Sequence, residues 1–263
     1  MHAFFLPFGV YPNNAIVGGS ATISTGAALF KKCNGKPGIV VCNIGDGSLG
    51  RGPVWEAMNF ACMDQFHTLW EKGRDQGMPI LYNIFNNSYG MGGQTRGETM
   101  AYDMLARMGS GVSPTQLHAE RVDGYNPLAV IDAMERKLEL LRAGKGPVLL
   151  DTITYRLSGH STSDQNAYRT KEEIEAWRAV DPIVTYRQGL VEAGVAPDSR
   201  FEEIMAETVE RMTMICRHAA DPALSPYADF GNDPAYVERL MYSNQKVPSF
   251  DTERTPEALT PKE

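Results

Sequence analysis

The stretches IVVCNIGDGSLGRGPVWEAMNFA (39–61) and PILYNIFNNSYGMG (79–92) decide the fold. Each opens on a continuous apolar run of strand length, and each run ends in small polar residues, Gly45-Asp46-Gly47 in the first and Asn86-Asn87 in the second. Apolar runs without alternation are the mark of strands covered on both faces, which predicts parallel strands over 38–44 and 79–85. Between them Pro53 opens a helical pattern running to Leu69. In an open α/β sheet, ligands bind beyond the carboxyl ends of the strands, where both polar clusters fall.

Those clusters suit a hard cation beside a phosphate. Mg²⁺ takes oxygen ligands in near-octahedral geometry and commonly only one or two carboxylates, with substrate phosphates completing the shell. Asp46 can give a carboxylate oxygen, Asn87 an amide oxygen, and a main-chain carbonyl near Tyr89 a third, so the pair of segments reads as a magnesium diphosphate site. Without a Cβ at Gly45 and Gly47 the backbone can turn sharply and approach a phosphate, with N–H groups of the next helix facing the anion. Either cluster alone is an ordinary turn. Their information lies in ending two neighbouring apolar runs.

Working outward, 19–33 is rich in small residues and reads as a helix stopped by Asn34-Gly35. A short strand is expected at 118–122. Asn126 caps a helix over 127–142, with Pro127 in its first turn and Gly144 just past its end, and 148–155 is a further strand. Alternating strand and helix predict an α/β fold, a doubly wound parallel sheet with helices on both faces. Thr170 with Glu173, and Ser199 with Glu202, have capping-box spacing. The second precedes a stripe of Phe201, Ile204, Met205, Thr208, Met212 and Ile215, which suits core or subunit packing. Residues 1–227 are expected as one domain and 228–263 as a partly disordered extension ending in a Pro- and Ser-containing tail.

The 263 residues are 43% hydrophobic and 22% charged, ordinary globular composition. A net charge of −7 without a basic stripe argues against a nucleic-acid surface. Cys33, Cys42, Cys62 and Cys216 are widely spaced, with no pair suited to zinc or a disulfide framework, and Cys42 is expected buried. No apolar stretch reaches membrane length and no signal-like start is present, so a cytoplasmic protein, or a matrix protein if a transit peptide preceded it, is expected.

Taken in order, GDGSLGRGPVWEAMNFA, NIFNNSYGMG, RVDGYNP (121–127), GKGPVLLDTITYRLSGHSTSD (144–164) and AYRTKEEIEAW (167–177) resemble the alpha subunit of thiamine-diphosphate-dependent 2-oxo-acid dehydrogenases. These are the decarboxylating first components of the pyruvate, branched-chain 2-oxo-acid and acetoin dehydrogenase complexes. The resemblance runs from about residue 15 to 182, with a helical continuation to 227, and implies the diphosphate-type domain of the thiamine-diphosphate-binding fold with a C-terminal helical extension. It further implies that Asp46, Asn87 and the carbonyl of Tyr89 hold Mg²⁺, and that Gly45, Gly47 and Ser48 meet the diphosphate. The segment 14–19 would pass the cofactor, with Ala15 beside it and Val17 meeting the aminopyrimidine. His160, before Ser161, matches a loop histidine that contacts the diphosphate and helps deliver the acyl group to a lipoyl carrier. A histidine titrating near neutrality suits that proton traffic. Glu56 and Asn59 could brace the site from behind.

The implied partners are a beta subunit, which supplies the glutamate that activates the aminopyrimidine, and a lipoylated acyltransferase, within an α2β2 assembly or a fused equivalent. Three departures from the family pattern stand out. The chain begins well into the family's fold, without the Tyr-Arg pair that grips the diphosphate, as a fragment or a piece of a split protein would. Extra sequence between Met63 and Met78 reads as a surface excursion. Ser158 stands where several members carry a second histidine, and Gly50-Arg51 replaces the frequent Asn-Gln. A transketolase-like or acetolactate-synthase-like enzyme would share the Gly-Asp-Gly and Asn signals without the YRLSGHSTSD loop. A non-catalytic truncated partner is the other alternative.

Overall fold

The computed structural model describes residues 9–11, 15–227, 229, 231–233 and 235. Asn14 and nearly all of the expected extension 228–263 lie outside them. The chain divides into two compact units that part between Tyr186 and Arg187.

The first unit is built on a four-stranded, wholly parallel sheet. Its strands are β1 (Val40–Gly45), β2 (Ile80–Asn86), β5 (His118–Asp123) and β6 (Val148–Ile153), in the order β1-β2-β6-β5. The short strands β3 (Tyr89–Gly90) and β4 (Gly93–Gln94) form a separate antiparallel hairpin. Side-chain alternation sends neighbouring residues of each strand into different cores. Cys42, Ile44, Ile80, Tyr82, Ile84 and Leu149 pack on one face beneath helices α1 (Gly19–Cys33) and α2 (Gly52–Ala61). Leu81, Val148 and Leu150 pack on the other against Ala133 and Leu141 of α5 (Pro127–Arg142). The doubly wound parallel sheet is therefore as expected.

β1 departs from expectation. It is an edge strand that buries one face through Cys42 and Ile44, while Val41 is 43% exposed and Asn43 is also exposed. The helix expected over 53–69 also breaks. The buried stripe Val54, Ala57, Met58 and Ala61 would continue in an unbroken helix to position 65, a glutamine. A turn at Cys62–Asp64 instead places Phe66, from α3 (Gln65–Thr68), in the core at 3% exposure, edge-on to Phe60 with ring centroids 5.3 Å apart.

The excursion after α3 is fastened to the end of α1 by Lys32 and by Arg74, whose Nη1 donates to Cys33 O (3.2 Å). Lys32, buried in the last turn of α1, donates from Nζ to the carbonyls of Phe66 (3.1 Å), Arg74 (2.6 Å) and Gln76, with the Trp70 ring centroid 4.4 Å away. Truncating it leaves three carbonyls without their donor and opens a hole, so Lys32→Ala should lower stability by roughly 2–4 kcal/mol. Denaturant titration of the folded chain checks this; a change under about 0.5 kcal/mol, the usual size for a surface substitution, would mean the clamp is decorative.

Cap readings fared unevenly. Asn126 Oδ1 accepts from the N–H of Leu128 (3.1 Å) and Ala129 (3.2 Å), and α5 ends in a Schellman motif in which Lys145 N donates to Leu140 O and Gly144 N to Leu141 O. Asn34 and Gly35 close α1 in the same way. Thr170 Oγ1 accepts from Glu173 N (3.1 Å) at the start of α6 (Lys171–Ala179). The remaining helices are α4 (Met108–Val112), α7 (Pro182–Glu192) and α8 (Asp198–Ala220). At α8 the expected Ser199 box is absent: the helix begins at Asp198 after an extended Pro197, so Ser199 lies inside it and no side chain caps it.

Candidate active site at the carboxyl edge of the sheet

The crossovers β1-to-β2 and β5-to-β6 fill opposite halves of the sheet and step across it in opposite senses, so the strand order reverses between the parallel strands β2 and β6. That switch point leaves a crevice above their carboxyl ends. In register, Gly45 pairs with Phe85 and Asn86 with Ile153, which puts Asp46 and Asn87 at the ends of adjacent strands. A cleft of about 270 Å³ lies there, lined by Asn87, Ser88, Gln94, Arg96, Thr154 and Glu173 among others.

Asp46 opens a 3₁₀ turn, Asp46–Gly50, and α2 starts at Gly52, one residue before the expected Pro53. The Asp46 side chain is buried at 1% exposure, and its Oδ2 accepts from Thr95 Oγ1 at 2.5 Å. Burial pushes its carboxyl above the usual range, partly offset by that hydroxyl and by main-chain groups of Gly47 and Ser88. Among the described residues no cation forms an ion pair with it, and no three His, Cys, Asp or Glu side chains converge. A buried carboxylate so placed is an anion lacking its counter-charge.

The two asparagines divide their labour. Asn86 is structural: Nδ2 donates to Asp151 Oδ1 (2.8 Å), and the fully buried Asp151 also accepts from Arg121 Nε (2.7 Å) and the N–H of Ala106 (3.2 Å). Asn87, half-buried, has its Oδ1 aimed by the N–H of Tyr89 at 3.0 Å. Between them and the hairpin, Ser88 has φ +62°, a left-handed conformation that costs a non-glycine residue on the order of 1 kcal/mol and clusters at functional sites. The Tyr89 hydroxyl donates to Glu173 (2.8 Å), which lines the same cleft, while burial and that carboxylate push its pKa up to about 12. Glu173 is thus taken by Tyr89 and by the Tyr155 hydroxyl (3.0 Å), and not by a reciprocal cap.

The glycine arguments sort differently. Gly45 is ordinary extended backbone, and a Cβ there would meet nothing within 4 Å; at Gly47 a Cβ would make only normal contacts, 3.5 Å from Thr95 and 3.6 Å from Gly90. The chain's own packing demands neither; a Cβ at Gly45 would meet open space, whereas Gly47 already packs at ordinary distance against Thr95 and Gly90. Gly18 is obligatory: at φ +87° its added Cβ would stand 3.0 Å from Val54 and 3.2 Å from Arg51. That close approach seats the exposed Ala15 and Val17 beside the turn that carries Ser48, whose carbonyl is 3.6 Å from the same point. Glu56 and Asn59 lie on the exposed face of α2, not behind the turn.

His160 stands in the loop leaving β6 and is exposed. It does not touch Asp46 or Asn87; its loop is fixed to the hairpin by Arg156, which donates from Nη2 to Met91 O (3.0 Å) and to the Tyr168 hydroxyl (2.5 Å). Arg156 Nη1 lies 3.5 Å from His160 Nδ1, within reach to donate to that nitrogen when the ring proton is on Nε2. Arg169 organises the loop from beneath. Buried at 7% exposure, it donates to the carbonyls of Arg156 and Ser158 (2.8 Å) and to Asn166 Oδ1, under the rings of Tyr155, Tyr89 and Tyr168 at 5.1, 5.4 and 5.4 Å. Gly159 is required because a Cβ would sit 2.8 Å from Asp164 O.

Asp164 ties the loop's two ends. Its carboxylate accepts from the N–H of Asn166 (2.9 Å), the N–H of His160 (2.7 Å) and the Tyr168 hydroxyl (2.7 Å), which hold its pKa down from 3.8 to about 2. A folded pKa below the unfolded one contributes stability that is complete above the unfolded value and lost as pH falls through the folded one. The His160 amide, followed by NMR, should therefore keep its position to about pH 4 and move with a midpoint near 2. A midpoint at or above 3.8 would contradict the arrangement.

Sequence reasoning missed Thr95, Arg156, Asp164 and Arg169. The last three fall inside the quoted motifs and carried a signal; Thr95, in an irregular segment, carried none. All four cysteines are free and Cys42 is buried, as expected. No helix among the described residues is long and apolar enough to cross a membrane.

Comparison with known proteins agrees with this geometry. A sequence profile of the family described as "Dehydrogenase E1 component" matches residues 1–225. The chain is 34% identical over 205 residues to the pyruvate dehydrogenase E1 component subunit alpha of Rickettsia bellii, covering 78% of this chain and 58% of that protein. It is 32% identical over 208 residues to the subunit of the same name from Rhizobium meliloti, covering 79% and 55%. To the mitochondrial type II alpha subunit of Ascaris suum it is 35% identical over 234 residues, covering 88% and 55%. The chain thus spans little more than half the length of these relatives. On the profile match and these identities, the chain belongs to the dehydrogenase E1 component family.

Proposed function

We propose that this chain is the alpha-type part of a thiamine-diphosphate-dependent 2-oxo-acid dehydrogenase, acting on pyruvate or a similarly short 2-oxo acid together with a beta subunit and a lipoylated acyltransferase. The observation that carries the reading is the buried Asp46 carboxylate. It has hydrogen-bond donors but no cation, and it stands one strand from the aimed amide oxygen of Asn87. One carboxylate, one amide and the Tyr89 carbonyl form the hard-oxygen set that suits Mg²⁺ bridging to phosphates. The open space over Gly45 suits the diphosphate itself.

Thiamine diphosphate, when bound, supplies the electron sink for loss of CO₂. The chain's residues do the rest. Asp46 and Asn87 would hold the metal, Ser48 and the Gly47 backbone would orient the diphosphate, and Val17, next to the Gly18 that packs on Val54, would meet the aminopyrimidine. His160 gives or takes a proton at Nε2 at the mouth of the site, where the acyl group leaves for the lipoyl carrier.

The test is to combine the chain with its beta partner, Mg²⁺ and thiamine diphosphate. Decarboxylation of pyruvate, 2-oxobutyrate and branched-chain 2-oxo acids is then compared with an artificial electron acceptor. Turnover of pyruvate at least as fast as the others supports the reading. Absence of turnover on every 2-oxo acid, despite cofactor binding, overturns it.

A further inference from the structure

Helix α8 is 23 residues long and buries none of them. Its sequence is not that of a solvated helix. Phe201, Met205, Thr208, Met212, Ile215 and Ala219 recur at steps of four and three without a break. This repeat of 3.5 residues is the one that seeks a second helix along a straight seam. Met205, Met212 and Ile215 on the seam are 53, 54 and 53% exposed, and Ile204 and Val209 at its borders 44 and 57%. A shallow groove runs beside Val209, Met212 and Cys216.

Charge identifies the occupant and its direction. Residues 198–210 carry Asp198, Glu202, Glu203, Glu207 and Glu210 against Arg200 and the Arg187 of α7 that pairs with Asp198 and Glu202, which leaves the half net acidic, whereas 211–220 carry Arg211, Arg217 and His218 and no acid. Two such helices side by side in the same direction set acid against acid. In opposite directions each acidic half lies on a basic half. We infer that α8 is a homotypic docking helix, pairing antiparallel with α8 of a second copy of this chain about a two-fold axis near Glu210. An isologous contact of this kind needs one self-complementary surface, and α8 is one. The layers then match by size: Phe201 against Ala219 of the other copy, Met205 against Ile215, Thr208 against Met212.

The experiment uses the full chain with Cys33 and Cys216 changed to Ser, so that no native exposed thiol interferes. Val209→Cys lies by the axis, within about 3 Å of its own image along the helix but at the border of the seam, so a short bis-maleimide should link it into a dimer where a direct disulfide cannot reach. Ile215→Cys is displaced from its image by about 15 Å and Glu210→Cys faces outward, so neither should link. Light scattering should give twice the chain mass, halved by Met212→Glu with unchanged far-ultraviolet circular dichroism. A monomeric mass with no Val209→Cys linkage overturns the proposal, as does linkage through Ile215→Cys, which marks parallel pairing. A dimer indifferent to Met212→Glu gives the contact to another face and overturns it too. Loss of the Val209→Cys linkage when a beta subunit is added assigns the helix to that partner instead.

Discussion

Asp46→Asn should abolish magnesium-dependent binding of thiamine diphosphate by the chain and its beta partner, while the protein without cofactor becomes more stable than the wild type. The first half follows from charge. A neutral amide cannot replace the buried, unpaired Asp46 carboxylate, and because altering even outer-sphere partners of a metal typically costs 10–100-fold in affinity, loss of a direct ligand should cost at least about 100-fold. The second half follows from burial. The Asp46 carboxyl is desolvated without a cation, an amide of the same shape carries no such penalty, and the Thr95 hydroxyl can rotate to accept from it. Calorimetric titration with and without a chelator, beside thermal unfolding of both proteins, reads the two effects separately. Retained affinity removes Asp46 from the metal. A fall in apo stability would mean the carboxylate is a structural hydrogen-bond hub.

Arg169→Ala should cripple acyl transfer although Arg169 touches no part of the proposed reaction. It is the common donor for the carbonyls of Arg156 and Ser158 and the Asn166 side chain, and hydrogen bonds from a charged donor contribute about 1.5–3 kcal/mol each before reorganisation. Without it the loop carrying His160 loses its floor, the three tyrosine rings lose their filling, and the loop should become susceptible to limited proteolysis between 156 and 166. Reductive acylation should fall at least about 10-fold, as far as in His160→Ala, with cofactor affinity changed little in either variant. Arg169→Lys should rescue poorly, because a single ammonium cannot span the fork of acceptors. A proteolytically resistant loop in Arg169→Ala would show that Asp164 and Arg156 suffice to hold it.

The sheet was legible because its signal is collective. Three apolar runs and one short strand, separated by helical patterns, admit few arrangements, and Asn126, Gly144 and Thr170 act within one turn of themselves, so their roles survive any tertiary context. Where a tertiary contact competed, local reading failed. Phe66 was worth more in the core than the continuity of the helix from Pro53, Pro197 began α8 a step before Ser199, and Glu173 had two tyrosine hydroxyls to serve. β1 looked fully covered because composition does not reveal which strand stands at the edge. In the site, Asp46 and Asn87 could be found because each ends a strand. Thr95 could not, since its place beside Asp46 is created by the left-handed turn at Ser88 and the hairpin after it, features without a periodic signature.

The most direct measurement is the anomalous scattering of Mn²⁺ in crystals of the chain with its beta partner and thiamine diphosphate. One peak should lie about 2.1 Å from a carboxylate oxygen of Asp46 and from the amide oxygen of Asn87, with the Tyr89 carbonyl completing the protein's share of the shell. A peak away from those two side chains, or a cofactor bound with no metal between them, would contradict the account.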